Sequence, residues 1–169
     1  MRFGWVEGAA LAAALALAGC GGGEEARDPE AAAAAFFMES NARAEGVVTL
    51  PSGLQYKVIQ SGPEGGDHPD GNDLVRVNYE GALADGTVFD SSFDRGAPYV
   101  TTPEQVIPAW TEALQLMSVG DEWIIYVPPE LGYGAQGDPP TIPRNAVLIF
   151  RLQLLDLART PGGEVSARG

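Results

Sequence analysis

Cysteine and histidine, the side chains that most often carry nucleophilic or metal chemistry, occur once each, as Cys20 and His68. A single thiol cannot close an intramolecular disulfide. One His and one Cys also fall short of a zinc ligand set or a Cys-His nucleophile pair. His68 stands in the Gly- and Asp-rich stretch 65–73 and reads as a solvated loop residue. A carboxylate-only metal site stays open, but no calcium-loop spacing occurs; no metal and no cofactor is assigned. The net charge of −13 is spread along the chain, which sets it against nucleic-acid phosphates and against anionic headgroups. An apolar content of 45% is enough for one core, and 169 residues suggest one domain with extensions.

The cysteine has a telling context. Residues 9–18 are an unbroken run of Ala and Leu, too short to span a bilayer and of the length of a secretory apolar segment. Ahead of it stands only one basic side chain, Arg2, opposed by Glu7. The run ends in Leu17-Ala18-Gly19-Cys20, which resembles the lipobox of bacterial lipoproteins. That resemblance implies cleavage before Cys20, acylation of its thiol, and attachment to a membrane through two or more acyl chains, which hold where one does not. Gly21-Gly22-Gly23-Glu24-Glu25 then forms a flexible tether. Because Gly21 rather than Asp follows the cysteine, the resemblance points to the cell envelope, on the outer membrane facing the periplasm if the source is Gram-negative.

Downstream, Asp28-Pro29-Glu30 has the composition of a helix start, with an N-cap, a first-turn proline and an acid near the positive end. A short helix over 29–44 follows, stopping at Glu45-Gly46. Residues 54–60 alternate as a half-buried strand, with Leu54, Tyr56 and Val58 on one face, and 61–73 reads as a mobile, turn-rich loop. Val75, Val77 and Tyr79 alternate with Arg76, Asn78 and Glu80 before the hairpin signal Asp85-Gly86. Pro108 opens a helix in which Trp110, Ala113, Leu114 and Met117 share a face, up to Gly120. Residues 123–127 form an apolar strand, 132–143 a long Gly/Pro loop, and 147–157 a strand with Leu148, Phe150, Leu152 and Leu154 on one face. The pattern predicts an α+β fold, an antiparallel sheet wrapped over one short helix.

A more specific reading comes from motifs in order. Val77-Asn78-Tyr79-Glu80-Gly81, then 85–92 as Asp-Gly-Thr-Val-Phe-Asp-Ser-Ser, Val106-Ile107-Pro108-Ala109-Trp110, Met117-Ser118-Val119-Gly120, Tyr133-Gly134, and Ile142-Pro143 followed by 146–150 resemble the FKBP-type peptidyl-prolyl cis-trans isomerases. Residues 41–47 and 52–56 resemble the lead-in of the Mip-like bacterial branch. The resemblance implies an α+β fold with an antiparallel half-barrel sheet of five to six strands wrapped around one short helix, and a pocket in which Trp110 is the floor and Phe89, Tyr99, Val106, Ile142 and Phe150 contact the substrate. The Ile107 N–H and the Tyr133 hydroxyl are the implied donors, and Asp90 orients its neighbours by bonding Tyr79. Departures lie in the pocket loop: Asp138 where His or Gly is frequent, Thr141 where the family is more apolar, and Arg144 where a second proline is common. Tyr99 replaces the usual Phe.

The implied activity is rotation of X-Pro bonds in exported polypeptides, with a macrolide as a further implied ligand. The alternative is a holdase-type chaperone or peptide-binding module using the same pocket without turnover. The expected organisation is a signal peptide over 1–19, a tether over 20–27, a helix and lead-in over 28–53, the isomerase domain over 54–158 and a disordered tail over 159–169. With only one short helix ahead of the domain, a monomer is expected.

Overall fold

The computed structural model describes residues 28–161. The expected signal peptide and tether, with Cys20, and the residues beyond 161 lie outside the described residues. Helix α1 spans Pro29–Asn41, with Asp28 as its N-cap accepting a hydrogen bond from the Glu30 N–H and Pro29 in the first turn. It ends at Asn41, three residues short of the expected 29–44, with turns from Ala42 onward, and the Asn41 side-chain amide donates to the Gln55 side-chain oxygen at 2.8 Å. The strands are β1 (Val48–Thr49), β2 (Gln55–Gln60), β3 (Leu74–Leu83), β4 (Val88–Ser91), β5 (Tyr99–Thr101), β6 (Glu122–Val127) and β7 (Leu148–Ala158), with helix α2 (Pro108–Leu116) between β5 and β6.

All strand pairs are antiparallel, in the order β1-β2-β6-β7-β3-β4. Strand β5 shares the outer edge of β3 with β4: Val75–Val77 pair with β5 and Glu80–Ala82 with β4. The sheet therefore has seven strands. The added ones, β1 and β5, are two and three residues long, too short for alternation to reveal them.

Strands β3, β6 and β7 form the middle of the sheet, and their inward residues are those the alternation selects. Val75, Val77 and Tyr79, then Trp123, Ile125 and Val127, then Leu148, Phe150, Leu152 and Leu154 are buried, and they join Ala109, Trp110, Ala113 and Leu114 of α2 in one core. Each large aliphatic side chain removed from water here contributes about 1.5–3 kcal/mol. Strand β2 departs from simple alternation. Leu54 is buried but Val58 is 42% exposed, while the polar Gln55 is buried. The cause is α1, which covers the other side of the sheet at this point. Ala34 and Met38 pack with Val147 and Tyr126, and the Gln55 amide donates to the Met38 carbonyl at 2.8 Å.

The segment 61–73 has no helix or strand, but it is not loose. The Gly62 N–H donates to Asp121 at 2.6 Å and His68 Nδ1 meets the Met117 carbonyl at 3.1 Å. Asp73 is 1% exposed and takes hydrogen bonds from the Asp70 N–H, the Arg159 guanidinium and the Thr160 N–H. Burial alone would raise its pKa, but those donors outweigh burial and hold it below the ordinary carboxylate value. The same bonds correct the expected start of the tail, because Arg159 and Thr160 are fastened to the domain. Among the described residues no helix is long and apolar enough to cross a membrane.

Candidate active site

The start of α2 is set by Pro108, whose missing N–H costs nothing in a first turn. Ile107 caps the helix in an extended conformation, its carbonyl accepting the Trp110 and Thr111 N–H groups at 2.9 and 3.1 Å. Among the described residues, the N–H of Ile107 itself finds no acceptor. One turn on, Trp110 is 4% exposed and forms the base of an open cavity of about 440 Å³. The cavity is lined by Tyr79, Phe89, Asp90, Tyr99, Gln105, Val106, Ile107, Trp110, Tyr133 and Phe150.

The rings form a box through edge-to-face contacts. Trp110 meets Tyr79 at 5.0 Å and 82° and Phe150 at 5.3 Å and 87°, and Phe150 meets Phe89 at 5.6 Å and 88°. Tyr99 adds a further edge-to-face contact to Tyr79 at 6.0 Å and 68°. Such perpendicular pairs set the positive edge of one ring on the negative face of another, so the walls brace one another. Gly81 makes the packing possible. It pairs with Phe150 and Asp90 across the sheet, and a Cβ there would lie 2.7 Å from Phe150 and 2.8 Å from Phe89.

A polar network holds one wall. The Asp90 carboxylate accepts hydrogen bonds from the Tyr79 hydroxyl and from Arg95, and Arg95 also donates to the Tyr79 oxygen at 2.8 Å. The guanidinium lies over the Tyr79 ring, 5.2 Å from its centre. Burial, then the bond to Asp90, raises the Tyr79 pKa, so its hydroxyl stays neutral. From behind, the buried Ser92 hydroxyl accepts the Tyr79 N–H at 2.8 Å and donates to the Tyr79 carbonyl at 3.2 Å.

The opposite rim is Tyr133, 40% exposed, on the loop that follows β6. Its backbone is fixed by Gly134 N–H to the Pro129 carbonyl at 2.8 Å and Gly137 N–H to the Tyr133 carbonyl at 3.0 Å. Burial first, then the charges of Asp138 and Asp90, raises the Tyr133 pKa and keeps the hydroxyl a donor at neutral pH. Among the described residues the Tyr133 hydroxyl makes no hydrogen bond, and only burial and charge act on it. The cavity thus offers two free donors above an apolar, aromatic interior.

Of the ten expected pocket residues, Asp90, Tyr133, Ile107, Tyr79, Trp110, Phe89, Tyr99, Val106 and Phe150 line this cavity. Ile142 does not: it is 3% exposed, packed into the core, and anchors the loop from below through its bonds to Asp138. Gln105 and Arg95 carry no expectation from sequence, and Gly81 and Ser92 stand inside the FKBP-like motifs without an assigned role. Gln105 directly precedes Val106-Ile107 and Arg95 follows Asp90 closely, so proximity in sequence is the only signal those two carry.

The family model described as FKBP-type peptidyl-prolyl cis-trans isomerase matches residues 65–155. A second, described as the domain amino terminal to FKBP-type peptidyl-prolyl isomerase, matches 13–58 and so begins inside the expected leader. Among curated proteins, the peptidyl-prolyl cis-trans isomerase Mip of Coxiella burnetii is 50% identical over 73% of this chain and 53% of its own length. The FKBP-type 22 kDa peptidyl-prolyl cis-trans isomerase of Escherichia coli is 47% identical over 72% of this chain and 58% of its own. The chain spans about half the length of the curated relatives it matches. Among solved structures, FkpA from Escherichia coli superposes with a TM-score of 0.73 at 40% identity, over 79% of this chain and 61% of that one. A peptidyl-prolyl cis-trans isomerase from Pseudomonas syringae pv. tomato gives 0.72 at 32% identity, over 78% of this chain and 95% of that one.

Proposed function

The chain belongs to the family of FKBP-type peptidyl-prolyl cis-trans isomerases, and on that premise we propose that it catalyses rotation about X-Pro bonds in polypeptides. The observation that carries the reading is the aromatic cavity over Trp110 with two uncommitted donors at its rim.

The reaction forms and breaks no covalent bond. An X-Pro amide rotates slowly because twisting destroys its resonance, at a barrier near 20 kcal/mol. The planar amide is the more charge-separated form, so an apolar slot that excludes water disfavours it relative to the twisted one. The prolyl ring lies on the Trp110 indole between Phe89, Tyr99, Val106 and Phe150. The Ile107 N–H and the Tyr133 hydroxyl take the flanking carbonyls, so the ring is held while the amide turns. Asp90 and Tyr79 keep the facing wall in place, with Arg95 tying both. Bringing tens of seconds down to milliseconds needs about 10⁴-fold, or about 5.5 kcal/mol. Orientation by two donors together with desolvation is of that order.

The site of action is the cell envelope. A relative 46% identical to this chain is named outer membrane protein MIP in Legionella longbeachae. Here the anchor is Cys20, carried on the 20–27 tether and exposed after removal of 1–19. The 54–158 domain then acts as a monomer on exported proteins that contain proline, and the cavity also admits a macrolide. A proline-limited refolding assay tests this. Wild type accelerates the slow phase, and Asp90→Ala and Tyr133→Phe reduce the gain. Suppressed aggregation with no rate gain from wild type would instead establish the holdase alternative.

A further inference from the structure

Arg144 is the one basic side chain in the pocket loop 132–146. Its partners lie on α1, 116 residues away in the chain. Arg144 Nη2 donates to Asp28 Oδ2 at 2.5 Å, and its Nε lies 3.1 Å from a Glu30 carboxylate oxygen. The next residue, Asn145, donates its side-chain amide to the same Asp28 oxygen at 3.0 Å. The other Asp28 oxygen accepts the Glu30 N–H at 3.0 Å, so one carboxylate both caps α1 and grips the loop.

The grip leads to the cavity in one step. Asn145 adopts φ of 51°, and its N–H donates to the Gly134 carbonyl at 2.9 Å. Gly134 follows Tyr133, the free hydroxyl on the rim. Within 132–146 the loop buries only Ile142, and near Tyr133 it is held by backbone bonds, Gly134 to Pro129 at its start and Asn145 to Gly134 at its end. Arg144 is 56% exposed and Asp28 29%, which makes the pair a small contributor to global stability. Its leverage is on placement, where small displacements of a contact group matter most.

We infer that Asp28, through Arg144 and Asn145, is a positioning residue for the Tyr133 rim, so that the N-terminal helix sets how tightly the cavity holds its substrate. This rests on the isomerase reading above. Three variants of the full chain separate the parts. Arg144→Ala removes the ion pair and leaves the helix cap. Asn145→Gly removes the amide bond at a backbone angle that glycine tolerates. Asp28→Asn keeps the cap through its one remaining oxygen and puts an amide donor in place of the other, so the bonds from both Arg144 and Asn145 are lost.

Exchange NMR on a short X-Pro peptide gives kcat and KM for each, alongside hydrogen exchange of the Asn145 amide. For Arg144→Ala and for Asn145→Gly the expected result is a KM raised about threefold with kcat nearly unchanged. The Asn145 amide exchanges faster, and Tm moves by no more than about 2 °C. Arg144→Ala or Asn145→Gly added to Asp28→Asn has almost no further effect, because Asp28→Asn already breaks the bond that each of them removes. An active wild type whose variants all keep its KM overturns this inference and leaves the isomerase reading intact. So does a loss that appears as lower kcat and lower Tm together. An inactive wild type overturns both.

Discussion

Replacing Gly81 by alanine puts a methyl group into the space between the two phenylalanine walls of the cavity. The added carbon lies 2.7 Å from Phe150 Cε1, 2.8 Å from Phe89 Cζ and 3.0 Å from Phe150 Cδ1. Carbon atoms in contact prefer about 3.5–4.0 Å, so the rings must retreat by about 1 Å. Phe150 is held against Trp110 and Phe89 by its edge-to-face contacts, which leaves the open cavity as the path of least resistance. Overpacking of this kind costs about 1–3 kcal/mol. Rings shifted by about 1 Å into the substrate space lower kcat/KM by about ten- to a hundredfold. The assay is catalysed exchange of an X-Pro peptide followed by NMR, with a thermal melt on the same sample. Gly86→Ala is the control: φ there is 87° and no atom lies within 4 Å of the new carbon. It is expected to lose about 1 kcal/mol of stability through backbone strain while each folded molecule keeps full activity. Gly81→Ala with wild-type kcat/KM would refute the reasoning, because it would mean that the walls carry no part of substrate binding.

Further expectations follow from the polar groups. Arg95→Ala removes one donor from Asp90 and one from the Tyr79 oxygen, and is expected to lower kcat/KM about three- to tenfold with the fold intact; circular dichroism and the exchange assay check it together. Asp73→Ala strips three donors of a buried acceptor and is expected to cost about 1–3 kcal/mol in urea unfolding. Because the folded pKa of Asp73 is lowered, its contribution is complete above the ordinary carboxylate range and disappears as pH falls through the folded value. The wild-type advantage over Asp73→Ala should therefore shrink in acid. The tyrosines predict the opposite limb. Tyr79 and Tyr133 have raised folded pKa values, so the stability they contribute is complete below about pH 10 and lost as pH climbs through the folded values. Activity is expected to be flat from about pH 6 to 9 and to fall only beyond, and a drop near neutrality would count against Tyr133 as a neutral donor.

The middle of the sheet was the most legible part of the fold, for a physical reason. β3, β6 and β7 each face the core on one side, so a period of two in Val75-Val77-Tyr79 or Leu148-Phe150-Leu152-Leu154 records burial directly. The short helix was equally open, with proline at its start and Ala109, Trp110, Ala113 and Leu114 on its buried face. Strand β2 was harder because α1 covers its far side, and a polar residue, Gln55, is buried there to bond the helix. The candidate site divides in the same way. Motif order brought out nine of the cavity's lining residues. What it could not supply are contacts made through space. Ile142 looks like a wall in sequence and is a buried anchor in the fold. Arg95 gains meaning only from Tyr79, which lies across the β3–β4 pairing. The Asp28–Arg144 pair joins opposite ends of the chain, and no local pattern marks it.

The most direct test of the account is the cis-trans exchange rate of a short X-Pro peptide measured by NMR with and without catalytic amounts of the protein. The account predicts exchange that rises in proportion to protein concentration, and that fails when Trp110→Ala removes the floor of the cavity. Peptide that binds at the cavity, seen as shifts of the Tyr79 and Trp110 resonances, yet exchanges no faster than in buffer would contradict it.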